Sequence, residues 1–151
     1  QRLVEAVTTI APTLHLRDDD IEAVTAGARL ERYGVGETVL GSGIVPDEVR
    51  VVVSGRAVLA IEADGGRIEF ASAEKGDIVG HTALTRERTQ AVTIAGEVLT
   101  VVVLPLSTVD ALIQSRPRLA GEIGEALEHK RTLAAARLAE LGIARNVIGE
   151  R

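Results

Sequence analysis

Cysteine, methionine and tryptophan are absent from this sequence, and it holds one tyrosine and one phenylalanine. Without cysteine there is no disulfide framework, no cysteine-based metal site and no thiol nucleophile. With almost no aromatic rings, a core has to be built from Val, Ile, Leu and Ala. Long apolar runs are also missing. The longest, such as Val51-Val52-Val53 and residues 101–104, fall far short of the roughly 20 residues that span a bilayer as a helix. No signal-peptide pattern opens the chain. Positive charge is not in excess: the net charge is −5 at pH 7, which argues against a nucleic-acid groove as the main surface. At 151 residues one domain with its own core is the default. The chain opens at Gln1 rather than at a methionine, so we expect a piece of a longer protein.

What is present divides into three parts. Residues 1–27 read as N-terminal helices. Leu3, Val4, Val7 and Ile10 recur at helical spacing, and Pro12 follows. Asp18-Asp19-Asp20 has two readings, a metal site or an N-cap with acidic residues in the first turn of a helix running to Gly27. With no second ligand cluster in view, the cap is the better reading.

Residues 28–104 change to a period of two. Short strands are expected at 30–33, 37–40, 49–53, 57–63, 67–71, 89–95 and 98–104. Glycine-rich turns punctuate them, among them Asp64-Gly65-Gly66. This pattern indicates an antiparallel sandwich or barrel. Residues 105–142 are helical again. Pro105 starts a short helix and Pro117 a longer one. The longer helix carries Leu119, Ile123, Leu127, Ala134, Leu138 and Leu141 in a stripe that Lys130 and Arg131 interrupt. Gly142 is the expected cap, and 143–151 a poorly ordered tail. The fold class is therefore α+β, an antiparallel β-roll or jelly-roll-like barrel flanked by N-terminal and C-terminal helices.

The most informative stretch is residues 76–95. Gly76-Asp77-Ile78-Val79-Gly80 places two glycines around a small apolar pair. A helical turn follows over 82–85, then Arg86-Glu87-Arg88 and a strand. Glycine lets a backbone approach a ligand closely. A helix start presents N–H groups without intrahelical acceptors, which suit an anion. An arginine adds a planar fork of donors that fits phosphate. Together these read as a phosphate cradle. Nothing forms a catalytic constellation: Ser54 before Gly55 lacks a strand-to-helix turn, and His15 and His129 show no metal spacing. We expect a non-enzyme with neither catalytic nor metal-binding residues.

The order of elements resembles the cyclic nucleotide-binding domain of bacterial gene regulators, kinase regulatory subunits and ion channels. Gly36-Glu37, Gly43, Asp47 and Gly55 match its first β-roll half. Gly76-Asp77-x-x-Gly80-x-x-Ala83-Leu84 matches its phosphate-binding cassette. The helices after Pro105 match its lid and hinge helices. The resemblance implies a cAMP or cGMP ligand, and no other cofactor, whose phosphate meets the backbone of Gly80, His81, Thr82 and Ala83 and an arginine. Arg88 is the best match for that arginine; counting back from Pro105 without a gap puts Thr89 there instead. The family's glutamate after the second glycine, which binds the ribose 2′-hydroxyl, is His81 here. A neutral imidazole accepts one hydrogen bond but supplies no negative charge. Leu127 and Lys130 are the lid candidates, and helix movement would be the output.

The alternative is a fold that no longer binds nucleotide and serves oligomerisation or contact with a neighbouring domain. The form of the cassette is similar to that of domains at the C-terminus of bacterial mechanosensitive-type channels, and transporters and patatin-like lipases host similar domains. That places the chain in the cytoplasm, on the cytosolic face of a membrane protein where the host is a channel. The expected partners are a cyclic nucleotide, a neighbouring domain and a second copy of the chain, not nucleic acid.

Overall fold

The computed structural model describes residues 3–63 and 66–140. The expected turn at Asp64-Gly65, the Leu141 and Gly142 positions and the tail lie outside the described residues.

Helix α1, Leu3–Ile10, buries Ala6, Val7 and Ile10 on one face. Pro12 does not end the helical path outright. It tightens it into a 3-10 turn, Ala11–Leu14, with His15 beyond it at φ 53. Helix α2 spans Asp18–Ala26. All three aspartates fall in its first turn, and the cap position is Arg17 rather than Asp18. The Arg17 N–H donates to the Asp20 carboxylate at 2.9 Å, and Asp20 also pairs with Arg116.

Among the described residues, eight strands form two antiparallel four-stranded sheets. Strands β1 (Arg29–Tyr33), β8 (Leu99–Pro105), β3 (Glu48–Ser54) and β6 (Ile78–Val79) make the first, in that order. Strands β2 (Thr38–Leu40), β7 (Val92–Ala95), β4 (Ala57–Ala63) and β5 (Gly66–Ala73) make the second. No strand is shared between them, so the roll is a pair of sheets rather than a closed barrel. The first sheet is buried on both faces. Val49, Val51, Val53, Val102 and Leu104 meet the helices, while Val52, Val101 and Val103 meet the second sheet. Two-sided burial explains why β3 and β8 read as continuous valine runs rather than alternating ones.

Strands β1 to β5 and β8 begin within one residue of the positions that the sequence pattern indicates, whereas β7 begins three residues later and the two-residue β6 is not indicated by the pattern. Strand β7 starts at Val92, not Thr89, because Thr89 pairs with the loop at 41–44 instead: its N–H donates to Ile44 O at 2.7 Å, and Gly43 N–H donates to Thr89 O at 2.8 Å. Pro105 does not start a helix; it ends β8, and helix α4 runs Leu106–Ser115. Helix α5 spans Pro117–Glu140. Between the sheets and these helices sits α3, the single turn Thr82–Thr85. Gly55 holds the β3–β4 corner at φ +87, where an added Cβ would lie 2.1 Å from Val98 O; no other residue type fits that backbone path. Among the described residues no helix is long and apolar enough to cross a membrane.

Candidate functional site

The cassette is fixed from three sides. The short β6 pairs with Arg50 and Val51 of β3. The Thr13 hydroxyl donates to Gly76 O at 2.6 Å. Gly80 adopts φ +85 with its Cα close under Glu48 O and Leu40, so a Cβ there would crowd the carbonyl at 3.3 Å. That bend turns the chain into α3 and places its opening residues at a cavity of about 570 Å³. The volume falls within the roughly 300–1,000 Å³ typical of small-molecule sites.

Gly80, His81, Thr82, Arg88, Thr89 and Leu127 all line the cavity. Ala83 does not. It is fully buried in the helix-side core, and its N–H donates back to Gly80 O at 3.0 Å. Leu84 N–H likewise closes on His81 O at 2.9 Å. The open donors at the start of α3 are therefore those of His81 and Thr82, and the expected contact through Ala83 is corrected on that ground. The Thr82 hydroxyl is buried without a hydrogen-bond partner among the described residues.

Arg88 and Thr89 separate into two roles. The Arg88 guanidinium reaches Gly43 O at 2.7 Å and has no carboxylate partner among the described residues. Thr89 is a clamp: its hydroxyl donates to Gly41 O at 2.7 Å and accepts from Ile44 N–H at 3.3 Å. A buried threonine spent on two backbone groups is not available as a phosphate donor, so the register that sets Thr89 at the arginine position gives a structural residue there.

The remaining charges at the cavity are engaged. Asp77 accepts from Glu74 N–H at 2.9 Å, Asp110 faces Arg86 at 3.8 Å, Glu87 accepts from the Thr85 hydroxyl at 3.0 Å, and Glu128 pairs with Arg131 at 3.5 Å. His81 opens onto the cavity but is crowded by protein. Its pKa is held below the usual imidazole value, first by desolvation and then by the charge of Arg131, with Glu87 opposing. A neutral imidazole is thus the resting form at neutral pH.

Helix α5 forms one wall of the cavity. Ile123, Gly124, Leu127, Arg131 and Ala134 line it. Lys130 belongs to the same helix, but its side chain lies outside the described residues, and so does that part of the lid expectation. Sequence spacing does not single out Arg131, Thr93 or Phe70, which also line the cavity. The available signal for Arg131 is the break in the apolar stripe at 130–131, where the helix passes over open space instead of core.

A model of the cyclic nucleotide-binding domain family matches residues 30–116. No curated protein matches the chain. Among solved structures, the Thermus thermophilus catabolite activator protein is 22% identical, with a TM-score of 0.70 over 87% of this chain and 63% of that one. The regulatory subunit of a cAMP-independent protein kinase A from Trypanosoma brucei is 14% identical, with a TM-score of 0.71 over 93% and 52%. The regulatory domain of Toxoplasma gondii PKA, solved with cAMP, is 23% identical, with a TM-score of 0.63 over 87% and 50%. The chain thus spans between half and two thirds of the length of these structures, and at such identities the likeness shows the fold. The family model takes in all but the first residue of β1, the whole cassette and α4, more than half of the residues, and on this match the chain belongs to the cyclic nucleotide-binding domain family.

Proposed function

We propose that this chain is a non-catalytic regulatory domain that binds a cyclic nucleotide, cAMP or cGMP, and reports its presence through α5. The observation that carries the reading is Arg88. It is anchored by a neutral carbonyl, its charge is matched by no carboxylate among the described residues, and it lines the same cavity as the opening residues of α3. An anion placed there gains a charge-assisted contact without displacing an internal ion pair. The phosphate sits between Arg88 and the His81 and Thr82 amides. The ring system lies along the aliphatic wall, under Leu127. His81, being neutral, accepts or donates one hydrogen bond and does not repel the phosphate.

A roll kept only for oligomerisation or interdomain contact has no use for an open cavity, and mutation tends to fill such space with side chains. The cavity here is open, which favours the ligand-binding reading. The coupled partner is a neighbouring domain of the parent protein, with a channel or transporter on the cytosolic side of a membrane as the host that the cassette favours. Binding moves α5 only to the extent that its two positions differ in affinity for the nucleotide.

Thermal shift tests this. Ligand at about 100 times its Kd stabilises the native state by about 2.7 kcal/mol, which for a chain of this size is a rise of roughly 5–10 °C. Arg88→Ala is expected to abolish the rise and leave the ligand-free melting temperature within about 1 °C, because Arg88 is exposed and supports no core contact. A full nucleotide shift in the Arg88→Ala variant would remove Arg88 from the site.

A further inference from the structure

Thr93 sits in the middle of β7, with Leu40 of β2 and Leu59 of β4 as its lateral partners. It shares a strand face with Ala95, which packs between the sheets. Thr93 is 4% exposed, and it lines the cavity. Its hydroxyl makes no hydrogen bond with any described residue. The contrast with Thr89 is direct, since that hydroxyl has two backbone partners. Unlike the Thr82 oxygen, which is buried without a partner, the Thr93 oxygen opens onto the cavity, where a bound group can reach it. In β7, Val92-Thr93-Ile94-Ala95, the one polar side chain is on the inward face.

Resting on the cyclic nucleotide reading above, we propose that the Thr93 hydroxyl is a specificity-determining contact, hydrogen-bonding a polar atom on the edge of the bound base. Charge decides which part of the ligand reaches it. The phosphate is drawn to Arg88, whereas Thr93 is flanked by Leu40 and Leu59, where an anion would be desolvated without a counter-charge. The group at Thr93 is therefore uncharged and flat, with polar atoms at its rim. A hydroxyl donates and accepts, so Thr93 serves an amino or a carbonyl edge alike. What it rejects is a ring with no polar atom at that place, because its own hydroxyl then stays unpaired in the complex.

The experiment is Thr93→Val on the full chain, with Thr93→Ser as the variant that restores the hydroxyl. Ligand-free melting temperatures and affinities for cAMP, cGMP and purine riboside 3′,5′-cyclic phosphate, which lacks exocyclic groups, are measured for all three proteins. Thr93→Val is expected to leave the ligand-free melting temperature within about 2 °C, yet to bind the nucleotide preferred by the wild type about tenfold more weakly. Its discrimination against the purine analogue is expected to shrink, and Thr93→Ser to recover it. A loss of affinity without a loss of ligand-free stability is a result that a purely structural role for Thr93 would not produce. Wild type and Thr93→Val binding the nucleotide equally would overturn the Thr93 contact alone. No binding of any of the three nucleotides by the wild type would overturn both this contact and the cyclic nucleotide reading.

Discussion

Arg50, on β3, and Arg88, after α3, differ in their partners, and the partners give them opposite uses. Arg50 reads as a solvent-facing residue of a strand, yet its side chain is 12% exposed inside a network. It meets Glu31 at 3.4 Å and Glu48 at 3.6 Å, and its Nε–H donates to the Tyr33 hydroxyl at 3.3 Å. Arg29 completes the network with a two-pronged contact to Glu48 at 2.7 and 3.0 Å. Burial alone would raise the Glu31 carboxyl; hydrogen bonds from Tyr33 and Arg29 and the charge of Arg50 outweigh it and hold the pKa below the usual value. The Arg29 hydrogen bond does the same for Glu48. These four charges cancel, so the network offers no net charge to a ligand. Arg88, held by one carbonyl, does.

His81 gives a pH prediction at this scale. Its folded pKa lies below the unfolded value near 6.5. Below that value the unfolded chain takes up a proton that the folded chain resists, so the folded state loses stability as the pH falls from about 7 toward 5. Denaturant midpoints across that window are expected to drop for the wild type and to drop less for His81→Gln. Glu31 and Glu48 stay out of the comparison, since their lowered pKa values make stability fall only in the more acidic range below about 4.5. Equal drops in the two proteins would show that His81 is not the titrating group.

At the scale of elements, α5 is a bridge. Its 24 residues extend for about 36 Å. Leu119 and Ile123 are buried in the helix-side core, and Leu138 is buried at the other end against Ile61 and Phe70. Between these anchors Gly124, Leu127 and Arg131 face the cavity. A helix held at two ends over a space can be released at one. Removing a buried leucine costs about 2–5 kcal/mol, but near the end of a long helix this shows as local opening rather than global unfolding. Leu138→Ala is expected to speed amide exchange across residues 131–140 while 117–123 stay protected. Unchanged exchange over 131–140 would mean that Leu138 does not hold the lid.

The same helix shows why some elements are legible in sequence and others are not. The stripe of Leu119, Ile123, Leu127, Ala134 and Leu138 identifies the helix, because one face repeats. It cannot say that the stripe serves two separate clusters. The valine runs of β3 and β8 announce burial but conceal which face meets helices and which meets the second sheet. Thr89 looks like the first residue of a strand and is instead tied to a loop more than 40 positions earlier, a pairing that no local pattern encodes.

For the molecule as a whole, the cassette is readable because its parts are contiguous: two glycines, a helix start and an arginine within 13 residues, Gly76 to Arg88. The rest of the cavity is assembled from Thr13, Phe70, Thr93, Asp110 and Arg131, which lie on five different elements and come together only through the pairing of the sheets and the path of α5. Sequence spacing therefore locates the end of the cavity at which we place the phosphate and is silent about the opposite wall and the cover. The central claim is that this cavity holds a cyclic nucleotide by its phosphate. Isothermal titration of the folded wild-type chain with cAMP and with cGMP measures that directly. Saturable heat with one site per chain for at least one of the two is the predicted result; no heat from either at millimolar concentration would contradict it.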